Sequence, residues 1–327
     1  MVDQKKLKEA AKETVSRDDV KYVIGYEKGT YGFQVTPSFA YTSEDADRFI
    51  FSPLCVNNLA VYPMLEEKLP LRKDEKEDKR KIGLVVKGCD SRAAVQIIQE
   101  KGLKREDIVL IGVPCNGIID PEKITARFPH QTKPVEVEEE GEKFVITING
   151  KTHKISKEEL LFDKCKHCGN PNPVLYDILV GDEIETSKKE NYENIKTLEK
   201  KSLKEKWEYW EKQFEKCIRC YACRNVCPMC YCKECMVDQL SPQWVRRSVD
   251  LSENTSWNIM RAFHLAGRCI GCGECERACP MGIPLTELNK KLEKDVKELF
   301  DYKSGLDAEE KPLLAMFKPD DPEEFII

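Results

Sequence analysis

Eight cysteines in two copies of one spacing constrain this chain more than any other feature. They run Cys217-x2-Cys220-x2-Cys223-x3-Cys227-Pro228 and, after an insertion of about forty residues, Cys269-x2-Cys272-x2-Cys275-x3-Cys279-Pro280. Three thiolates within seven residues of backbone reach three irons of one cubane, and the fourth, followed by proline, turns to the companion cluster. The spacing therefore predicts one 4Fe-4S cluster on Cys217, Cys220, Cys223 and Cys279, and a second on Cys269, Cys272, Cys275 and Cys227. Zinc would want two separated pairs and four ligands in all, half of what stands here. Crossed ligation ties both clusters into one body through which an electron can hop.

Composition narrows the setting. Lys and Arg number 53 against 58 Asp and Glu, leaving a net charge of -5, so there is no basic field for nucleic acid. No apolar run approaches the eighteen or so residues that span a bilayer, and the opening MVDQKKLKEAAKETV reads as a polar amphipathic helix rather than a signal peptide. The expectation is a soluble, cytoplasmic protein. Its 16 cysteines, clustered at x2 and x3 spacings, point to metal in a reducing compartment rather than to disulfides.

The 327 residues suffice for two domains with cores of their own. The pattern predicts an α+β protein: an N-terminal α/β domain over residues 1–182 with a partly parallel sheet, a linker helix over 183–216, a mostly α-helical two-cluster ferredoxin domain over 217–300, and an acidic tail over 301–327. Upstream, a helix over Lys5 to Val15 precedes strands at Val20 to Tyr26 and Gly32 to Thr36. Charged Arg72 to Lys81 reads as a solvated loop or helix end. Apolar Ile82 to Val86, a helix with Ala94, Ile97 and Ile98 on one face, and Ile108 to Val113 make a βαβ unit, so the two strands should be parallel. Asn149-Gly150 turns one of several small antiparallel hairpins. Downstream, Leu203, Trp207, Trp210 and Phe214 fall at helical spacing in the linker, and helical patterns cover Pro242 to Leu251, Ser256 to Ala266 and Leu285 to Phe300.

The βαβ unit places two further thiols. Gly88-Cys89-Asp90 follows its first strand and Pro114-Cys115-Asn116-Gly117 its second, putting both cysteines at the carboxyl edge, where open α/β sheets bind ligands. Cys165-Lys-His-Cys168 adds a pair on a tight loop, for which zinc, a redox disulfide and a cluster all remain readings. Cys89, Cys115, Cys165 and Cys168 together would complete a third 4Fe-4S site or hold zinc. Four thiols are left over. Cys55, Cys230, Cys232 and Cys235 would make a fourth cluster, and a rival arrangement pairs Cys165 and Cys168 with two of the last three. Cys55 alone in an apolar run also reads as a small core residue, and His167 and His264 read as structural rather than ligating.

The segment Cys-Pro-Met-Cys-Tyr-Cys after the first motif and Ala-Cys-Pro-Met-Gly-Ile-Pro-Leu around the second resemble the dicluster domain of iron–sulfur β subunits of soluble multisubunit redox enzymes. These include the sulfhydrogenase β subunit, the anaerobic sulfite reductase A subunit, and partner subunits of NADH- or formate-linked heterodisulfide reductases. Lys87-Gly-Cys-Asp-Ser-Arg-Ala93 and Ile111-Gly-Val-Pro-Cys-Asn-Gly117 resemble the upstream part of the same subunits and, more distantly, the β subunit of deazaflavin-reducing hydrogenases and formate dehydrogenases. In those β subunits the ferredoxin-like segment precedes the flavin domain, whereas here it comes last. The resemblance implies an electron-transfer subunit relaying electrons between a flavoprotein and a catalytic or bifurcating partner of hydrogenase, formate dehydrogenase or heterodisulfide reductase type in an anaerobic complex.

The residues alone agree, since no nucleophile, acid and base constellation is visible and no Gly-x-Gly-x-x-Gly follows a strand. The alternatives are an oxidoreductase subunit binding flavin or deazaflavin at the carboxyl edge, with Gly88, Asp90 and Asn116 as its contacts, and a zinc-stabilised scaffold.

Overall fold

The computed structural model describes residues 2–66, 78–185, 191–319 and 321. Most of the charged run Arg72 to Lys81, part of the expected linker and the Phe-Ile-Ile terminus lie outside them. Two compact units divide the chain: Met1–Pro63, Pro70–Ala94 and Leu103–Glu190 form the first, and Met64–Leu69, Val95–Gly102 and Asn191–Ile327 the second.

The first unit is built on a five-stranded sheet in the order β2-β1-β3-β4-β8. Its strands are β1 (Val20–Lys28), β2 (Val35–Ala40), β3 (Lys81–Val86), β4 (Ile108–Gly112) and β8 (Ile178–Leu179). β2 runs antiparallel to β1, while β1–β3, β3–β4 and β4–β8 are parallel, which is the partly parallel sheet the apolar runs predict. The strands β3 and β4 are buried along nearly their whole length, as the inner strands of a parallel sheet are. Pro37 sits in β2 because an edge strand tolerates a residue with no N–H. That strand starts later than the sequence suggests: the Gly29 N–H bonds the Gln34 carbonyl at 2.9 Å and Gly32 takes φ +52°, so residues 29–34 form a turn.

The opening helix, Gln4–Val15, is capped by Asp3, whose side chain accepts from the amides of Lys5 and Lys6. It buries Leu7, Ala10, Ala11, Thr14 and Val15, the single stripe expected of an amphipathic helix. A second sheet, β5 (Val137–Glu140), β6 (Lys143–Ile148) and β7 (Lys151–Ser156), is an antiparallel meander. Asn149 at φ 50° and Gly150 at φ 75° make its two-residue turn, the left-handed pair that matches strand twist.

The second unit is helical. Its expected linker helix is two helices, Glu193–Glu199 and Leu203–Phe214, because Ser202 and Glu205 form a reciprocal capping box that starts a new helix. Phe214 is buried and stacks on Trp210, whereas Leu203 and Trp207 are exposed. The helical pattern over Pro242 to Leu251 is not realised. The helix begins at Leu251 and runs to His264, since side chains take over the backbone groups before it: Glu253 accepts the Arg246 N–H at 2.8 Å and Arg219 donates to the Arg246 carbonyl at 3.2 Å. The last long helix is Leu285–Phe300. Among the described residues no helix is long and apolar enough to cross a membrane.

Candidate metal centres

Both ligand loops of the second unit have the same backbone. Each sends its middle cysteine between two left-handed residues: Arg219 (φ 56°) and Tyr221 (φ 58°) flank Cys220, while Gly271 (φ 67°) and Gly273 (φ 68°) flank Cys272. A one-turn helix follows each, Ala222–Asn225 and Glu274–Arg277. Glycine adopts this conformation without penalty. The first loop holds it with non-glycine residues, and Arg219 explains how: its guanidinium donates to the carbonyl of Glu253 at 2.7 Å and to the Tyr221 hydroxyl at 2.8 Å, and it lies over the rings of Tyr221 and Trp257.

The thiols gather as two quartets. One cavity is lined by Cys217, Cys220, Cys223 and Cys279, in a wall that includes Ile218, Trp257 and Ile283. Another is lined by Cys227, Cys269, Cys272 and Cys275, with Arg261, Asn289 and Glu293 among its walls. The sites adjoin: Cys275 packs with Ile283 and Leu285, and Cys217, Cys223 and Cys279 pack against that group. Among the described residues no three His, Cys, Asp or Glu side chains converge as the ligands of a single metal ion.

One helix organises both quartets. From Leu251–His264, Asn254 Nδ2 donates to the carbonyls of Phe214 at 3.0 Å and Cys217 at 2.9 Å, fixing the start of the first loop. Trp257 and Asn258 line the first cavity, and Arg261, with Leu265 just past the helix end, lines the second. These positions follow 3.6-residue spacing, so one face serves both sites.

The chemistry of the donors fits a cluster. Burial pushes the Cys223 thiol up to about 11 and raises those of Cys269 and Cys275, because a lone thiolate in apolar surroundings is costly. Bound metal compensates that charge and ligates the thiolate form. Donors to sulfur stand ready as well, with the Gly271 amide near Cys269 and Asn289 Nδ2 at 3.6 Å from Cys275 Sγ.

In the first unit, Cys89 opens the helix after β3 and Cys115 follows β4. Cys165 lies on the one-turn helix Asp163–Lys166 and Cys168 just beyond it. Burial, then the proximity of Cys165 and Cys89, holds the Cys115 thiol well above its ordinary range. Cys165 is raised by burial and sits electrostatically against Cys168. Gly117 makes the approach possible: at φ +113°, its added Cβ would lie 3.4 Å from the Cys165 Cβ and 2.7 Å from Leu161. The Gly117 amide donates to Cys115 Sγ at 3.4 Å. Facing these thiols is Lys87, 1% exposed, whose Nζ donates to Asp90 Oδ2 at 2.9 Å, the Tyr26 hydroxyl at 2.7 Å and the Asn57 carbonyl at 2.6 Å. Burial opposes its charge, but Asp90, Tyr26 and Cys89 together outweigh that and keep Lys87 protonated.

The expected cofactor contacts separate. Asn116 lines a cavity of about 370 Å³ with Cys115 and Gly117. Asp90 is fully buried and engaged by Lys87, and Gly88 is closed off by the Asn170 carbonyl, 2.0 Å from where a Cβ would stand. Of the leftover thiols, Cys55 is a buried residue of the first unit, pushed up to about 11 by burial, while Cys230, Cys232 and Cys235 belong to the second. Cys230 sits against Cys227, whose neighbouring thiol lowers it. His167 and His264 are exposed.

Residues 79–213 match the family described as the C terminus of the coenzyme F420 hydrogenase/dehydrogenase beta subunit, and residues 216–284 match the 4Fe-4S dicluster domain. The chain joins these two domains in that order. The dicluster domain begins one residue before Cys217 and takes in all eight cysteines of the repeated motif. Relatives include the F420-dependent formate dehydrogenase subunit beta of Methanocaldococcus jannaschii, 26% identical across 72% of this chain and 76% of its own length. Another is the F420-dependent formate dehydrogenase 1 subunit beta of Methanococcus maripaludis, 27% identical across 89% of this chain and 88% of its own. A chain of the F420-reducing [NiFe] hydrogenase complex from Methanosarcina barkeri aligns with a TM-score of 0.36 at 14% identity, over 51% of this chain and 63%, less than two thirds, of that one.

Lys87 and Arg261 did not stand out in the sequence. The signal for Arg261 is its register: it falls on the helix face of Asn254, Trp257 and Asn258, where a solvated arginine has no place. Lys87 directly ends the apolar run Ile82 to Val86, where a lone cation at a buried strand end is equally out of place.

Proposed function

We propose that this chain is an electron-transfer subunit of an anaerobic redox complex, carrying electrons through three 4Fe-4S clusters. The observation that carries the reading is the pair of adjoining cavities, each lined by three cysteines of one motif and the last cysteine of the other. Cys217, Cys220, Cys223 and Cys279 would hold one cluster, Cys269, Cys272, Cys275 and Cys227 the second, and Cys89, Cys115, Cys165 and Cys168 a third. The clusters supply one-electron carriers. The chain's own residues orient the thiolates, shield them with Ile218, Trp257 and Ile283, and place compensating charge beside them. By likeness to the β subunits of formate dehydrogenases, the partners are other redox subunits, a flavoprotein and a catalytic or bifurcating subunit.

The test is Cys220→Ser in the assembled complex. Loss or conversion of one cluster, with electron flow halted and the first unit still folded, supports the relay; undiminished turnover defeats it.

A second reading, a flavin or deazaflavin bound by this subunit, draws on the cavity of about 370 Å³ beside Cys115, a volume within the range of small-molecule sites. Its charge opposes a phosphate-bearing cofactor. Glu136, Glu138, Glu139 and Asp182 line it, and Lys28 is paired with Glu136 at 3.0 Å. Stoichiometric flavin in the isolated chain would nevertheless establish it.

A further inference from the structure

Two clusters wrapped by the same motif would be interchangeable if only the thiolates mattered, yet the walls around the two quartets differ. The Cys217/Cys220/Cys223/Cys279 cavity is walled by Ile218, Trp257, Met281, Ile283 and Leu285, with Tyr221 and Asn258. The other holds a full positive charge. Arg261 is 4% exposed, lines the cavity of Cys227, Cys269, Cys272 and Cys275, and donates from Nη2 to the Cys223 carbonyl at 3.1 Å. Among the described residues its Nε has no hydrogen-bond partner, although a buried guanidinium ordinarily satisfies its donors. An arginine cannot shed its proton in a protein, so this charge is permanent.

We propose that Arg261 is the positioning residue that sets the order of potentials in the dicluster domain, placing the Cys227/Cys269/Cys272/Cys275 cluster above its neighbour. The proposal rests on the crossed ligand sets given above. A cubane gains one negative charge on reduction, so a fixed cation beside it favours the reduced form, as do hydrogen bonds to its sulfurs. Arg261 stands against two ligands of this cluster, Cys275 and Cys227, and against Cys230, and more weakly against one ligand of the neighbour, Cys223, and Asn289 adds a donor to Cys275.

Other charges do not reverse this. Glu293 faces Cys269 and works against Arg261, but Lys290 also lines that cavity. Arg219 belongs to the first loop and keeps its charge, but its guanidinium reaches the carbonyls of Glu253 and Arg246 and does not line the cavity. Solvent reaches Cys220 and favours reduction there, but water at one ligand of four is a weaker influence than a full buried charge. Within the domain, electrons therefore run from the Cys217/Cys220/Cys223/Cys279 cluster toward the Cys227/Cys269/Cys272/Cys275 cluster.

The test is an anaerobic redox titration of the full chain followed by electron paramagnetic resonance, with Cys220→Ser and Cys272→Ser used to assign the two signals. In the unaltered chain, the signal disturbed by Cys272→Ser titrates at the higher potential. Arg261→Met lowers that potential so that its oxidised-to-reduced ratio changes by about tenfold or more, about 59 mV for one electron, and moves the other cluster less. Arg261→Lys restores most of the shift.

The proposal is overturned if the order is reversed in the unaltered chain, if Arg261→Met moves neither potential, or if it moves the first cluster more. Should Arg261→Met fail to assemble its clusters, the unaltered order and Arg261→Lys still decide. If both serine variants disturb the same signal, the ligand sets fail and the proposal with them, a result distinct from a reversed order.

Discussion

Replacing Lys87 by methionine tests how the upstream thiol site is held. The change keeps most of the side-chain length and removes one charge. Lys87 Nζ loses contacts of 2.9 Å and 3.1 Å to Asp90, 2.7 Å to the Tyr26 hydroxyl and 2.6 Å to the Asn57 carbonyl. Asp90, with no exposed surface, then loses its cation while its contacts from the Lys87 amide and the Tyr26 hydroxyl, at 3.3 Å, and from Cys89 Sγ, at 3.7 Å, are long. Removing one member of a buried pair costs about 3–5 kcal/mol, because the other charge is stranded. At about 2–4 °C per kcal/mol for a body of this size, the first unit's thermal transition should fall by roughly 6–20 °C. The assay is anaerobic calorimetry with guanidinium unfolding, run beside Lys87→Met/Asp90→Leu. The double variant should recover much of the loss, since removing both partners leaves no uncompensated charge. A single variant destabilised by less than about 1 kcal/mol, or a double variant no better than the single, refutes the reasoning.

Gly88→Ala drives a Cβ to within 2.0 Å of the Asn170 carbonyl, so the loop carrying Cys165 and Cys168 must shift; iron analysis should show about four irons lost per chain while the dicluster signals remain. Glu100 is held below its ordinary 4.5: burial works the other way, but Arg268, Tyr231 and Gln96 together outweigh it. Its stabilisation is complete above about pH 4.5 and lost as pH falls through the lower folded-state value, so Glu100→Gln should lose stability at neutral pH yet show a shallower acid limb in the second unit's unfolding. Trp257→Ala opens the wall of the first cavity and the core of Val237 and Val245; it should cost about 3–5 kcal/mol and make the signal disturbed by Cys220→Ser more sensitive to oxygen.

What was legible follows from what each element depends on. The βαβ unit, the Asn149-Gly150 turn and the Leu285–Phe300 helix rest on local patterns, and the sheet is partly parallel as those patterns predict. The linker break was also legible, because Ser202 and Glu205 spell a capping box, yet the charge pattern running through it masked the signal. Residues Pro242 to Asp250 were not, since the Arg246 backbone in their midst is satisfied by Glu253 and by Arg219, a side chain 27 residues away. Lys87 and Arg261 escaped for the same reason: a buried cation has meaning only once the thiols around it are assembled.

The most direct test of the account is the content of iron, acid-labile sulfide, zinc and flavin per chain in anaerobically purified protein. The account predicts about twelve irons and about twelve sulfides, with neither zinc nor flavin. About eight irons with one zinc would make the upstream cysteines structural, about sixteen irons would demand a fourth cluster, and stoichiometric flavin would turn the chain from a relay into an oxidoreductase subunit in its own right.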